Sequence, residues 1–154
     1  MTETETAVRR DRRGRSRWVG GAIAGLVAGL VFGLYLQFAV GVLPPRETVV
    51  SVEALAYSWV VHLSHSLVFA LVYVGVVSLP RLDRFADRAA TGVALGVGYG
   101  VALWVVATGV AVTFWALANT VWVLPIPDPS VASLVGHVLY GGVLGVTFAV
   151  ARRT

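Results

Sequence analysis

Three histidines stand in stretches that carry no charge: His62 and His65 in HLSHSLVFALVY, which runs from His62 to Tyr73, and His137 in GHVLYGGVLG. An imidazole in such a place can ligate haem iron or zinc, pass a proton, or hydrogen-bond a neighbouring helix. Spacings of three and four put residues on one side of a helix, so His62 and His65 share a face with Ser58 and Phe69. The same spacing gathers Ser133, His137, Tyr140, Gly141 and Leu144.

Each of these chemistries asks for something more. Haem b would need two neutral imidazoles at matching depth, here His65 and His137 as axial ligands, with glycines making room for the porphyrin. A proton or small-solute pathway through His62, His65, Gln37 and Tyr140 needs a wet cavity and usually an acid, and no acid lies inside an apolar block. Three imidazoles without a carboxylate make a sparse zinc site. Interhelical linking asks least: the rings need only turn inward, where Gln37 and Thr108 are the polar side chains expected to meet them. In that low-dielectric setting the neutral imidazole is the favoured form. Catalysis is not expected, because the chain has no phosphate-binding loop, nucleophile elbow or intramembrane carboxylate pair. His62 and Ser66 lie one turn apart but lack an orienting carboxylate. With no cysteine, disulfides and thiolate sites are excluded.

Composition decides what holds these residues. Hydrophobic residues make up 57% of the 154 and charged ones 13%, with a mean hydropathy of +0.80, far from the balance of a soluble domain. Between Arg17 and Arg152 every ionised side chain falls in one of three short connections, which leaves four apolar blocks. These are Trp18 to Leu43, Leu55 to Leu79, Ala89 to Ala111 or beyond, and Val131 to Ala151. A spanning helix takes about 20 apolar residues, and the blocks show none of the alternation of a barrel strand. The expected fold is therefore all-α, a polytopic membrane protein with four transmembrane helices and the lipid bilayer as its first partner.

All twelve basic residues are arginine. Arg9, Arg10, Arg12, Arg13, Arg15 and Arg17 precede the first block, Arg81, Arg84 and Arg88 lie between the second and third, and Arg152 and Arg153 follow the fourth. That distribution predicts a cell-membrane protein with both termini cytoplasmic, residues 152–154 forming the C-terminal cytoplasmic end. Arg46 alone falls on the opposite side. Residues 1–17 read as a disordered, Arg-rich cytoplasmic tail that anchors and orients. Nucleic-acid binding is not expected without a folded basic module.

The sequence also reads as a duplication, with repeats at about 18–80 and 89–151. Gly21, Gly25 and Gly29 align with Gly92, Gly96 and Gly100, and Gln37 with Thr108. A shift of one further residue in the second helix of each half sets HSLVFALVYV over HVLYGGVLGV, so that His65 falls on His137. Glycines four apart, Gly21, Gly25, Gly29 and Gly33 in one half and Gly92, Gly96 and Gly100 in the other, let a second backbone approach closely. These ladders serve packing within the chain, against a second copy, or against another membrane protein. The apolar run TFWALANTVWVLP lengthens the third block beyond one span, so a break is expected near Gly109 or Thr113, with Trp115, Asn119 and Trp122 as interfacial anchors.

The glycine ladder followed by LYLQF, then SWVVHLSHSLVFALVY and GHVLYGGVLG, resembles an uncharacterised family of small four-helix membrane proteins found in haloarchaea. The resemblance covers nearly the whole chain after the tail and implies its fold and location. Similar proteins often carry the name histidine kinase. The sequence argues against that activity, because a dimerisation helix pair with an exposed histidine and an ATP-binding domain are both missing from it. The expected role is that of a non-catalytic binding or scaffold subunit with an intramembrane histidine cluster.

Overall fold

The computed structural model describes residues 3–43, 51–86, 88–118 and 130–152, with backbone alone for 3–15 and 111–118. Four helices account for nearly all of them: α1 (Glu3–Leu34), continued by a π-helical turn over Tyr35–Val40, then α2 (Val52–Val77), α3 (Ala89–Ala118) and α4 (Val131–Ala151). A short 3₁₀ turn, Asp83–Phe85, lies between α2 and α3. The stretches long and apolar enough to cross a membrane are Ser16–Val40, Val52–Val77, Ala89–Val110 and Val131–Ala151. These match the four apolar blocks to within a few residues, and the chain is an all-α, multi-pass membrane protein. Helices are required because lipid offers no partner to an open backbone group.

Two expectations need correction. The Arg-rich segment expected to be disordered is drawn into α1, which begins at Glu3. Arginine is a good helix former, and the apolar span supplies a helix to extend. The expected break in the third block is also absent: α3 passes Gly109 and Thr113 unbroken to Ala118. A helical glycine costs only about 1 kcal/mol, too little to stop a ladder of backbone hydrogen bonds in lipid. Trp115 lies on that continuous helix, while Asn119 and Trp122, like Arg46 and Asp128, lie outside the described residues.

Both helices that follow the longer connections open on a serine cap. Ser51 Oγ accepts from the Ala54 amide at 3.2 Å and Ser130 Oγ from that of Ser133 at 3.1 Å. At the other end of the bundle, Arg17 and Arg152 each place Nη2 3.0 Å from the same oxygen, Asp83 Oδ1. The start of the first span, the α2–α3 connection and the end of α4 therefore share one end of the molecule.

Helix α1 packs along α2 and α4, and α3 packs along α4; α2 and α3 meet only locally. The glycines show how. A Cβ at Gly21 would strike Val74, at Gly25 Ala70, at Gly29 Ser66 and at Gly33 the ring of Trp59, so α1 receives side chains of α2 along its ladder. Between α3 and α4 the backbones themselves touch. A Cβ at Gly96 would strike the carbonyl oxygen of Gly141, at Gly100 that of His137, and at Gly145 that of Gly92. Close approach of this kind replaces the hydrophobic effect, which lipid does not supply between spanning helices.

The glycine contacts of the two hairpins correspond at a different offset from the expected alignment. Gly29 meets Ser66 as Gly100 meets His137, and Gly21 meets Val74 as Gly92 meets Gly145. The offset is 71 residues in both helices, with no extra shift, so the packing puts Ser66 where the other hairpin has His137. His65 stands one residue round the helix and is exposed.

Candidate functional site

The histidines are held by backbone carbonyls. On α2, His62 Nε2 lies 2.8 Å from the Gly29 carbonyl oxygen of α1, a contact open to it because Gly29 and Gly33 carry no side chain. His65 Nδ1 lies 2.8 Å from the Val61 oxygen, one turn back on its own helix, and His137 Nδ1 stands at the same distance from the Ser133 oxygen. A carbonyl only accepts, so the nitrogen facing it is the one that carries a proton in each ring. The second nitrogen of each ring, Nδ1 of His62 and Nε2 of His65 and His137, would be an acceptor in the neutral imidazole, and it has no protein partner among the described residues.

Phe32 of α1 separates two of the rings. Its centroid is 5.5 Å from that of His62 and 5.3 Å from that of His137, both edge-on. Gly136 admits it, because a Cβ there would collide with the phenyl ring. Below this wedge Tyr140 is buried, and its hydroxyl donates to the Ser66 carbonyl at 2.6 Å, tying α4 to α2.

Together these groups enclose a cavity of about 70 Å³ lined by Phe32, His62, His65, Ser66, Phe69, Leu103, His137 and Tyr140. All four helices contribute. Four of the six expected polar residues, His62, His65, His137 and Tyr140, thus come together. Gln37 and Thr108 do not join them. Gln37 sits on the π-helical turn, where its Oε1 accepts from Trp59 Nε1 at 2.9 Å. Thr108 is on α3, its hydroxyl oxygen buried without a hydrogen-bond partner among the described residues. Trp104, one turn earlier, buries its indole nitrogen in the same state.

Sequence reasoning missed Phe32 and Leu103; it put Phe69 on the histidine face without assigning it to the site, and it set Ser66 aside as a serine one turn from His62. Phe32 had a usable signal, since it lies beside Gly33 and the ladder fixes which way its neighbours turn. Ser66 would have emerged from an unshifted alignment of the hairpins. Nothing in the sequence singles out Leu103 from the other apolar residues of α3.

The cavity, at about 70 Å³, is smaller than the roughly 300–1,000 Å³ of sites for drug-sized ligands, and Phe32 lies between the rings of His62 and His137. No cluster of three or more His, Asp or Glu side chains suited to a metal ion is present among the described residues. No protein-family model matches the chain, and neither a curated protein nor a solved structure does.

Proposed function

We propose that this is a non-catalytic binding subunit of the membrane, with the histidine-lined cavity as its ligand site. The observation that carries the reading is the state of the rings: three imidazoles converge on one cavity with their N–H groups engaged by Gly29, Val61 and Ser133, each retaining an acceptor nitrogen. Rings that served only to link helices would not need to border a shared cavity. No acid accompanies them in the spans, which favours binding over proton transfer. On this reading the arginine-rich end, gathered around Asp83, is cytoplasmic.

The test is native mass spectrometry of the protein purified in mild detergent from its host. A small molecule retained at a stoichiometry of one and lost in His137→Phe supports the reading. Equal retention by both proteins refutes it.

Haem ligation by His65 and His137 is the second reading, and one observation favours it: both rings are fixed through Nδ1, which leaves Nε2 in the state that an iron ligand requires. It would require Phe32 and Phe69 to move. A Soret band and reducible α-band that disappear in His65→Ala would establish it, and a colourless protein would end it.

A further inference from the structure

The cavity is more selective than its size suggests, because its hydrogen-bonding groups are unbalanced. With the rings neutral, acceptors predominate among the lining groups: the second nitrogens of His62, His65 and His137, and the Tyr140 oxygen, whose proton is held by the Ser66 carbonyl. One donor remains. Ser58, Ser64 and Ser78 each donate to the carbonyl four residues back, at 2.9, 2.7 and 2.6 Å, the usual habit of a helical serine. Ser66, a buried residue of the same helix that lines the cavity, has no such bond from its hydroxyl among the described residues; its Oγ lies beside Gly29 of α1. A complementary ligand must both donate to an imidazole nitrogen and accept from Ser66.

A hydroxyl group does both. Ketones and ethers only accept, so they would leave the imidazoles unanswered. An ammonium group is disfavoured at this depth in a membrane, and an amide brings a carbonyl that needs further donors. The remaining walls, Phe32, Phe69 and Leu103, suit an apolar body attached to that hydroxyl.

The way in lies at the side. Two of the lining residues, His65 and Phe69, are exposed, and both are on α2. Leu103 of α3 lines the same cavity, and α2 and α3 do not pack along their length. They are joined where Tyr99 donates to the Phe69 carbonyl at 2.7 Å and where the Tyr73 and Tyr99 rings meet at 5.2 Å. Beside that link, the exposed His65 and Phe69 bring the cavity lining to the surface of the bundle.

We infer that the cavity takes a neutral, lipid-soluble alcohol or phenol, which enters from the bilayer between α2 and α3 and places its hydroxyl between Ser66 and the histidines. The inference rests on the binding reading above and names the ligand class of that site. No bond is made or broken.

The experiment uses the full chain in lipid nanodiscs and two photoreactive probes of equal length, a diazirine-bearing octanol and its methyl ether, with adducts mapped by mass spectrometry. The alcohol is expected to label cavity residues at least fivefold more than the ether, and Ser66→Ala to remove most of that difference. Equal labelling of the cavity by both probes would overturn the hydroxyl assignment while leaving a binding site in place. If neither probe labels the cavity above lipid-facing Val68 and Val72, the binding reading falls with it. Leu103→Trp, which narrows the opening, should cut alcohol labelling at least fivefold with the thermal midpoint unchanged. Phe69→Trp replaces it if that variant does not fold, and undiminished labelling in a folded variant would overturn the lateral route.

Discussion

Gly96 and Gly141 set each other's limit: a methyl group on either would meet the carbonyl oxygen of the other. The relationship is reciprocal because the two helices touch through backbone, and it recurs a turn away between Gly92 and Gly145. A backbone carbonyl cannot rotate out of the way as a side chain can, so this seam is the least forgiving surface in the bundle.

Gly96→Leu should therefore weaken α3–α4 packing at or beyond the upper end of the 1–3 kcal/mol typical of overpacking. Gly98→Leu, two residues along the same helix where nothing lies within 4 Å of a Cβ, should leave stability within about 0.5 kcal/mol. Thermal melts of the two variants in one detergent make the comparison. Equal melts would mean that the seam is not formed as described.

The histidines should separate by what they touch. His62 bonds across to α1, and its ring stands edge-on to both Phe32 and Trp59, whereas His65 is exposed and bonds within its own helix. His62→Ala is expected to cost about 1–3 kcal/mol, through an orphaned Gly29 carbonyl and lost packing. His65→Ala should cost less than about 0.5 kcal/mol. Unfolding in graded SDS reads both, and a larger loss for His65 would contradict the placement of the rings.

Tyr140→Phe removes the one hydrogen bond that ties α4 to the Ser66 carbonyl while keeping the ring in place. Hydrogen bonds between membrane helices average about 0.6 kcal/mol and reach about 1.7. The short, buried geometry argues for the upper part of that range. A melt indistinguishable from the parent would show that the bond is replaced on substitution.

Asp83 holds Arg17 and Arg152 through a single oxygen at the edge of the bundle, where all three groups are partly open to water. Asp83→Asn should cost no more than about 1 kcal/mol at low salt. The deficit should shrink as ionic strength rises, because screening weakens the parent's contacts. Melting temperature measured against sodium chloride concentration tests it: curves that stay parallel would mean that the contact is not electrostatic in origin.

The four spans were legible in the sequence because a bilayer imposes a length and an exclusion of charge that composition alone reveals, and Val131–Ala151 was placed to the residue. Facing was harder. Hydrophobic periodicity marks the buried side of a helix in water, but a helix in lipid is apolar all round, as α3 is from Ala89 to Val110. Glycine spacing was the surviving signal, and it pointed to the seams. It could not say which neighbour of His65 turned inward, and one residue of misalignment moved the inward position from Ser66 to His65. The join at Asp83 lay outside any such pattern, since a carboxylate between arginines in a connection reads as ordinary solvated charge. Continuity of α3 through Gly109 was missed because the third block was longer than one span needs, and excess length was read as a break rather than as helix carried past the span.

The π-helical turn at Tyr35–Val40 has a consequence for how α1 tolerates change in length. Such a turn holds one residue more than an α-helix needs, so whatever follows is carried round the axis by about 100°. Up to Leu34 the rotation of α1 is fixed by glycines seated on α2; beyond it, Tyr35 reaches the Ala132 carbonyl of α4 at 3.0 Å and Gln37 reaches Trp59 of α2. Deleting Leu36 would restore a plain helix and leave every glycine contact in register, with Tyr35 still facing α4. It would also turn Gln37 away from Trp59, so an indel at this point acts as a rotary adjustment of one end of the bundle.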